Sequence, residues 1–594
     1  MHDPNDTFSI RKMVSQMART PTFRIGVVFV FLFGVFAYEA AKLFSLHLGN
    51  HARIERSYRR TILGKRGRIF DRNGDDHPMA ISLPAWQFFL DPQSVKTNHN
   101  PEVIAQAIAT NLNLDVEWVR KQFQATGPGS RHIKLAVSQR DDIYKTLLDS
   151  KETISGVGAD EIIIRRYPQG RRMSHVLGFV NYAGIGSAGI EQVFNTELSA
   201  VSGIIESEKD ASRREIFDRR KIVAPPIAGH DIYLTLDHNI QYEVETALRE
   251  TVEKFDALRG WIIIQKIKTG ELLALATFPD FEPEHYQNVP DMLWKNYALA
   301  TVYEPGSIMK AVTVSAFLNE RLGTPNTLID VGEGCWNYAG KPLRDHVTGR
   351  ITVATALKKS SNIACAKMAL SLGDKKLYAY LRAFNFGSKF GIELPGEEKG
   401  ILHPVKEWSK LSPTRIAIGQ GIAVTGLQMV SVYSALANGG VMMRPYLVDK
   451  IVNANGEVIR QTRPEIIGHP VRPAVAKQVC EMLTGVTESD GTGKRAAVSG
   501  YSVAGKTGTA QKAVRGGYSN TDYFASFVGF VPASDPVFTI LVTIERPRPQ
   551  HTGGFVSAPV FARLAASTAR YLEVPPDQPD ELDEQDGAAF PPSR

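Results

Sequence analysis

The stretch Tyr303–Leu322, YEPGSIMKAVTVSAFLNERL, is where the reading of this chain turns. Pro305-Gly306 breaks the backbone, and SIMKAVTVSAFLNERL then reads as a helix with Ser307 in its first turn and Lys310 three residues on. Residues i and i+3 share a helix face, so this spacing sets an amine beside a hydroxyl. A serine needs such a base to become a nucleophile. The amine must be neutral to take the proton, and the positive end of the helix dipole disfavours its ammonium form. The same end offers backbone N–H groups to an oxyanion. Taken alone the spacing is weak, because Ser and Lys are common and a chance match in a long chain is easy to find.

Two further stretches strengthen it. Ser360-Ser361-Asn362 sits between the helical stretches ITVATALKK and IACAKMALSL. A hydroxyl and an amide two residues apart can face one cleft, one relaying protons and the other holding a substrate amide; the plainer reading is a helix cap. Lys506-Thr507-Gly508-Thr509 lies inside YSVAGKTGTAQK. A cation and hydroxyls on an edge strand, with a glycine that permits close backbone approach, suit a substrate carboxylate. Gly500–Thr507 also fits the G-x-x-x-x-G-K-S/T phosphate loop letter for letter. That loop needs an apolar strand before it and a helix after it, whereas GKRAAVS precedes and GTAQKAVRGGYSN follows.

The rest of the chain sets these motifs in context. Its 594 residues imply two or three domains. With 43% hydrophobic and 22% charged residues the composition is globular, which excludes disorder, collagen and coiled coil for the whole. The net charge of +7 is modest and makes no case for nucleic acid. Cys335, Cys365 and Cys480 are too dispersed for a disulfide framework or a zinc pattern and read as buried small hydrophobes. From Ile25 the chain runs IGVVFVFLFGVFAY without a charge and continues EAAKLF to Phe44, long enough to cross a bilayer core of roughly 30 Å. No A-x-A spacing around Ala37–Ala41 suggests a cleaved signal, so an uncleaved anchor is expected. Arg11, Lys12, Arg19 and Arg24 precede it, but seven basic residues from Arg53 to Arg68 follow it, so charge alone leaves its orientation open.

After the anchor, RGRIFDRNGDD (Arg66–Asp76) reads as strand–turn–strand with Asn73-Gly74 in the turn. Residues Pro101–Gln124 read as helical. Ala224-Pro225-Pro226 reads as a linker, after which DIYLTLD opens a strand. From there a mixed α/β (α+β) pattern runs to about Leu572, with GWIIIQ, ELLALAT and VFTILVTIE as strands among long helical stretches. The final EVPPDQPDELDEQDGAAFPPSR is acidic and Pro-rich and reads as a disordered tail.

S-x-x-K, S-x-N and K-T-G in that order are the signature of the penicillin-recognising serine acyltransferases. Over nearly its whole length the chain resembles the class B penicillin-binding proteins, through RGRIFDRNG, HVLGFV…GIEQVFNTEL, LTLDHNIQ, KTGELLALATFPDFEP, YEPGSIMK, KSSN, IGQGIAVTGLQ…ALANGG, AGKTGTAQ and SFVGFVPASDP. SFVGFVPASDPVFTILVTIERP followed by GGFVSAPVF looks most like the division-specific, FtsI-type branch, with the elongation branch as its rival. The resemblance implies a cytoplasmic tail (1–24), a transmembrane anchor (25–45), an elongated pedestal of the dimerisation type (46–226), a transpeptidase domain (227–572) and a tail (573–594). It also implies a central antiparallel sheet flanked by helices, with an all-helical subdomain.

The resemblance implies roles as well. Ser307 would attack the D-Ala-D-Ala carbonyl of a peptidoglycan stem peptide, and Lys310 would be the base. Ser360 would pass a proton to the leaving amine, while Asn362 would hold the substrate amide and orient Lys310. Lys506, Thr507 and Thr509 would bind the terminal carboxylate of the donor or of a β-lactam, and Gly508 completes that wall. The N–H groups of Ser307 and Thr509 would form the oxyanion hole. No metal or organic cofactor is expected. The middle motif is Ser-Ser-Asn rather than Ser-Asp-Asn, and no E-x-x-L-N stretch supplies the deacylating Glu of class A β-lactamases. That favours a transpeptidase over a lactamase. An E-D-x-x-F motif is also missing after the anchor, which argues against an added glycan-polymerising domain. A substrate outside the cytoplasmic membrane places the N-terminus inside and the bulk of the chain outside, in a single-pass arrangement. An FtsW-type (SEDS) glycan polymerase and other division proteins are the partners the family implies. A catalytically idle scaffold or β-lactam sensor is the alternative from another class.

Overall fold

In the computed structural model the described residues are 15, 20–48, 57–74, 78–96, 100–124, 132–149, 156–209, 215–514 and 517–578. They form two compact units, one drawn from residues up to Ile62 with Ser202–Pro226, the other from Leu63–Val201 with Ile227 onward. In the first unit a helix spans Pro21–Leu48. Its stretch Pro21–Ser45 is long and apolar enough to cross a bilayer and none of it is buried, so it fits a single-pass membrane anchor. The same unit holds an antiparallel sheet of Ser57–Ile62, Gly203–Lys209 and Glu215–Ala224, with the second strand in the middle.

The second unit begins where RGRIF was read as a strand. Ile69–Phe70 pairs antiparallel with Pro78–Leu90 and parallel with Asp231–Leu234. Gly74 takes the positive φ, +99°, that the turn requires. Pro78–Leu90 then carries Ile133–Ser138 and Val157–Arg166 on its two sides. Phe88 and Leu90 bury against Ile104, Ile108, Val119 and Leu147 of the covering helices. The region 101–124, read as helical, holds two helices, Pro101–Leu112 and Val116–Phe123. Asn113 ends the first in the left-handed region, and the Asp115 carboxylate caps the second by accepting from Trp118 N–H.

Two buried polar knots tie separate segments of this unit together, the first within the pedestal portion and the second between it and the rest. Glu191, wholly buried, accepts from Arg66 Nε at 2.6 Å and Arg165 Nε at 2.6 Å, and its backbone carbonyl takes a second Arg66 bond at 2.9 Å. Asp71 accepts from His238 Nδ1 at 2.6 Å, His238 N–H at 3.1 Å and Asn73 N–H at 3.0 Å. Asp237 caps the following helix and meets Asn73 Nδ2 and Tyr571 OH, each at 3.1 Å. Asp71, Asp237 and His238 lie close enough together to hold a metal ion. Their atoms already serve as hydrogen-bond partners between three parts of the chain, and the group reads as a joint.

The C-terminal portion is built on five antiparallel strands: β1 (Arg259–Lys266), β2 (Leu272–Phe278), β3 (Ala504–Val514), β4 (Gly517–Val531) and β5 (Phe538–Glu545), in the order β2-β1-β5-β4-β3. Alternate side chains face opposite layers. Ile262, Ile264, Val542 and Ile544 pack with helix α1 (His238–Lys254) and with the C-terminal helix Ala558–Tyr571, while Trp261, Ile263 and Leu541 face a second core. That second core holds α2 (Lys310–Asn319), α3 (Val353–Lys358), α4 (Asn362–Leu372) and α5 (Gly426–Ala437). Two short ribbons, Leu328–Gly332 with Gly349–Thr352 and Cys335–Tyr338 with Lys341–Arg344, interrupt the helices of the subdomain.

Two expectations change. Cys335 is exposed on its ribbon, whereas Cys365 is buried and Cys480 half-buried. The segment read as a tail from Glu573 is fixed at its start. The Asp577 carboxylate accepts from Ser502 N–H at 2.7 Å and Ser534 Oγ at 2.6 Å, and Val574 is buried in the core. Residues 579–594 lie outside the described residues, as does most of the tail ahead of the anchor.

Candidate active site

Gly306–Met309 makes one turn of 3₁₀-helix before α2 begins at Lys310. The Lys310 N–H donates to the Ser307 carbonyl, an i to i+3 bond. In such a turn side chains three apart eclipse, which aligns Ser307 with Lys310 more closely than the expected α-helical turn would. Its neighbours pin the turn from three directions. Gly306 N–H donates to Gly419 O at 3.1 Å, and Tyr433 OH donates to Ile308 O at 2.9 Å. Glu304, just upstream, accepts from Gly421 N–H at 2.8 Å and Tyr518 OH at 3.2 Å. Gly419 must be glycine: a Cβ there would lie 2.1 Å from Gly306 O.

Lys310 is fully buried. Its Nζ donates to Ser360 O at 2.5 Å and Asn362 Oδ1 at 2.7 Å, with Ser360 Oγ at 3.1 Å. A neutral amine has two N–H bonds and one lone pair. The carbonyl and the amide oxygen, which can only accept, use both N–H bonds and leave the lone pair toward hydroxyls. Burial pushes the amine from 10.5 down to about 8, against smaller opposing effects of Cys365 and Asp345. The amide of Asn362 is oriented by its other end, where Nδ2 donates to Arg344 O at 3.0 Å.

The segment between α3 and α4 takes its form from both readings of Ser-Ser-Asn. Ser360 sits in the left-handed region at φ +60°, which costs a non-glycine residue on the order of 1 kcal/mol and turns its carbonyl onto Lys310. Ser361 is the N-cap of α4 and accepts from Ala364 N–H at 3.1 Å. Asp345 takes the Ser361 hydroxyl and Ile363 N–H, fixing the start of the helix. Asp345 carried no sequence signal, because its partners become neighbours only after the ribbons fold back.

Lys506-Thr507-Gly508-Thr509 lies on β3, the edge strand of the sheet. Gly505, Lys506 and Thr507 lie in a strand that is followed by another strand, in keeping with the rejection of a phosphate loop on its flanking sequence. Lys506 is fully buried, with Nζ 3.2 Å from Thr507 O and 3.4 Å from Thr507 Oγ1. Burial, and then the charge of Lys310, push its pKa well below the usual lysine value. Thr507 Oγ1 donates to Thr492 Oγ1 at 3.0 Å, and Thr509 Oγ1 accepts from Gly553 N–H at 3.1 Å. A Cβ on Gly508 would stand 3.1 Å from both Ile308 Cγ2 and Pro305 O. The close approach this glycine permits is therefore that of the Ser307 turn against the strand.

A cleft of about 620 Å³ opens between these elements, lined by Ser307, Ser360, Asn362, Thr507 and Thr509 among others. Lys310 is hydrogen-bonded to two of those lining residues, Ser360 and Asn362, and Lys506 to a third, Thr507. One cleft thus joins a serine on a rigid turn, a buried amine of lowered basicity, a second hydroxyl 3.1 Å from that amine and a hydroxyl-lined edge strand, which is an arrangement fit for acyl transfer.

Comparison with known proteins agrees with that chemistry. The penicillin binding protein transpeptidase domain matches residues 260–566, and the penicillin-binding protein dimerisation domain matches residues 61–234. Stage V sporulation protein D of Bacillus subtilis is 31% identical over 531 residues, spanning 86% of this chain and 79% of that protein. Peptidoglycan D,D-transpeptidase FtsI of Escherichia coli is 29% identical over 520 residues, spanning 86% and 84%. Among solved structures, penicillin binding protein 3 from Mycobacterium tuberculosis complexed with aztreonam superposes with a TM-score of 0.68 at 26% identity, over 88% of this chain and 99% of that one.

Proposed function

The chain belongs to the class B penicillin-binding protein transpeptidases, and from that premise we propose that it cross-links peptidoglycan stem peptides at the division septum through an acyl-enzyme on Ser307. The observation that carries the reading is the placement of Lys310, whose amine is held beside the serine turn by two acceptor oxygens while burial lowers its basicity.

In the first half-reaction the Ser307 hydroxyl attacks the carbonyl between the two D-Ala residues of the donor, and its proton passes to Lys310 Nζ. The N–H groups of Ser307 and Thr509 receive the oxyanion, each donor contributing about 10²–10³ in rate. Ser360 Oγ, 3.1 Å from Lys310 Nζ, carries that proton to the departing amine, and D-Ala leaves. Thr507 and Thr509 hold the donor's carboxylate, with Lys506 behind Thr507. The approach of that anion restores the basicity that burial removes from Lys506. In the second half-reaction an amine from a neighbouring stem peptide attacks the ester, gives its proton to the same relay and releases Ser307. A β-lactam enters as a false donor, and its acyl-enzyme waits for an amine that cannot reach it.

The domain limits at residues 226 and 572, the cytoplasmic N-terminus with an extracytoplasmic catalytic portion, and an FtsW-type polymerase as partner belong to the same reading. The resemblance of the C-terminal strands to the division branch supports the septal assignment. A strain whose only copy carries Ser307→Ala tests it. Filaments without septa are expected; swollen, rounded cells would instead assign lateral-wall synthesis, and normal growth would make the protein a scaffold.

A further inference from the structure

Among the described residues no Asp or Glu lines the cleft, while Lys359, Lys494, Arg495 and His346 do. Lys359 is committed, since its Nζ meets Asp490 O at 2.6 Å and the Asp490 carboxylate at 2.9 Å. Lys494 and Arg495 are exposed in a short 3₁₀ turn that lines the same cleft. The Arg495 guanidinium lies 3.9 Å from the centroid of the Phe555 ring. Such stacking occupies the face of the guanidinium and leaves its N–H edge for a bidentate anion.

The position of this pair is tied to the hydroxyls of the edge strand. Thr492, three residues before Arg495, accepts the Thr507 hydroxyl, and Gly553, two before Phe555, donates to Thr509. Glycines hold the two segments together: a Cβ on Gly554 would lie 2.6 Å from Thr492 O, and one on Gly493 would lie 2.9 Å from the Phe527 ring. The hydroxyls proposed to take the donor's terminal carboxylate thereby also place a stacked arginine in the same cleft. A terminal carboxylate accounts for the Thr507–Thr509 wall and leaves Arg495 and Lys494 without an anion.

We propose that Arg495, with Lys494 beside it, forms a second anion subsite that takes a side-chain carboxylate of the donor peptide while the Thr507–Thr509 wall takes its terminal one. The subsite rests on the acyl-transfer reading and specifies its substrate: a donor with a second carboxylate upstream of the terminal D-Ala. An amidated side chain offers only a neutral carbonyl to the guanidinium and gives up the charge-assisted pair.

The test uses the full chain and two synthetic donors of form Xaa-D-Ala-D-Ala, whose Xaa side chain ends either in a carboxylate or in the corresponding amide. Their kcat/KM for D-Ala release is measured beside acylation by benzylpenicillin, which carries no second carboxylate. The wild-type protein should prefer the acid donor by about tenfold. Arg495→Lys should keep most of that preference, and Arg495→Gln should bring the ratio toward one. Equal use of both donors by the wild type, or a ratio unchanged in Arg495→Gln, overturns the subsite while penicillin acylation keeps the acyl-transfer reading intact. A wild-type protein that neither penicillin nor donor acylates overturns both.

Discussion

Lys310 Nζ and Asn362 Oδ1 stand 2.7 Å apart and join the first turns of two helices, α2 and α4, at the base of the cleft. The contact does two jobs, holding the amine beside the Ser307 turn and occupying one of its N–H bonds. Asn362→Ala should therefore lower the acylation rate by about 10²-fold with little change in the fold, because it misplaces a base without emptying a core. Stopped-flow acylation with a chromogenic cephalosporin, beside a melting curve, separates the two. A rate within a factor of about two of wild type would remove Asn362 from the mechanism.

The lowered basicity of Lys310 fixes the direction of a pH profile. The proposed base works when neutral, so the rate of acylation by penicillin should rise as pH increases through about 8 and level off above it. An unperturbed lysine would keep the rate rising toward 10.5. The profile of kcat/KM for acylation between pH 6 and 10 distinguishes them.

Ser360 combines the proposed relay hydroxyl with a strained backbone, and two substitutions part the roles. Ser360→Ala and Ser360→Gly both remove the hydroxyl and should both slow acylation by about 10- to 100-fold. Only glycine suits φ +60° without strain, so Ser360→Gly should melt higher than Ser360→Ala. Equal melting temperatures would mean that the left-handed conformation carries no cost here.

Much of this site was legible beforehand, for a physical reason. The helix that presents Ser307 and Lys310 is local, and so is the edge strand that carries Lys506–Thr509; spacing within a few residues is what sequence displays directly. The 3₁₀ form of the first turn was not legible, because it depends on Gly419 and Tyr433, more than 100 residues downstream. Asp345, Thr492 and Gly553 were missed for the same reason: each acts on a motif residue brought close only by the fold. The helical character of 101–124 was legible, but the break inside it was not located, because the left-handed cap at Asn113 and the Asp115 N-cap decide it.

Gly508 offers a test of the strand as a backing for the Ser307 turn. Gly508→Ala places a methyl 3.1 Å from Ile308 Cγ2 and Pro305 O, so the Ser307 turn must shift by a few tenths of an ångström. Acylation should fall at least about tenfold while the circular dichroism spectrum stays unchanged. Unchanged acylation would show that the turn tolerates displacement.

Away from the cleft, Glu245 links Met173 N–H at 2.9 Å with Gln241 Nε2 at 2.8 Å, and burial pushes its carboxyl up to about 7. Asp280 raises it further and Arg172 opposes. A carboxyl with a raised pKa binds its proton more tightly in the folded state. Its contribution is present at low pH and is lost as pH rises from the unfolded value through about 7. Glu245→Gln should therefore gain melting temperature relative to wild type between pH 5 and 8. A gap that stays constant across that range would contradict the shifted carboxyl.

The most direct measurement is the intact mass of the purified protein after benzylpenicillin, with peptide mapping, for wild type beside Ser307→Ala. A single long-lived penicilloyl adduct on the peptide that contains Ser307, absent from the variant, is the expected result. An adduct on another residue, one that survives Ser307→Ala, or one that clears within seconds would contradict a transpeptidase built on Ser307.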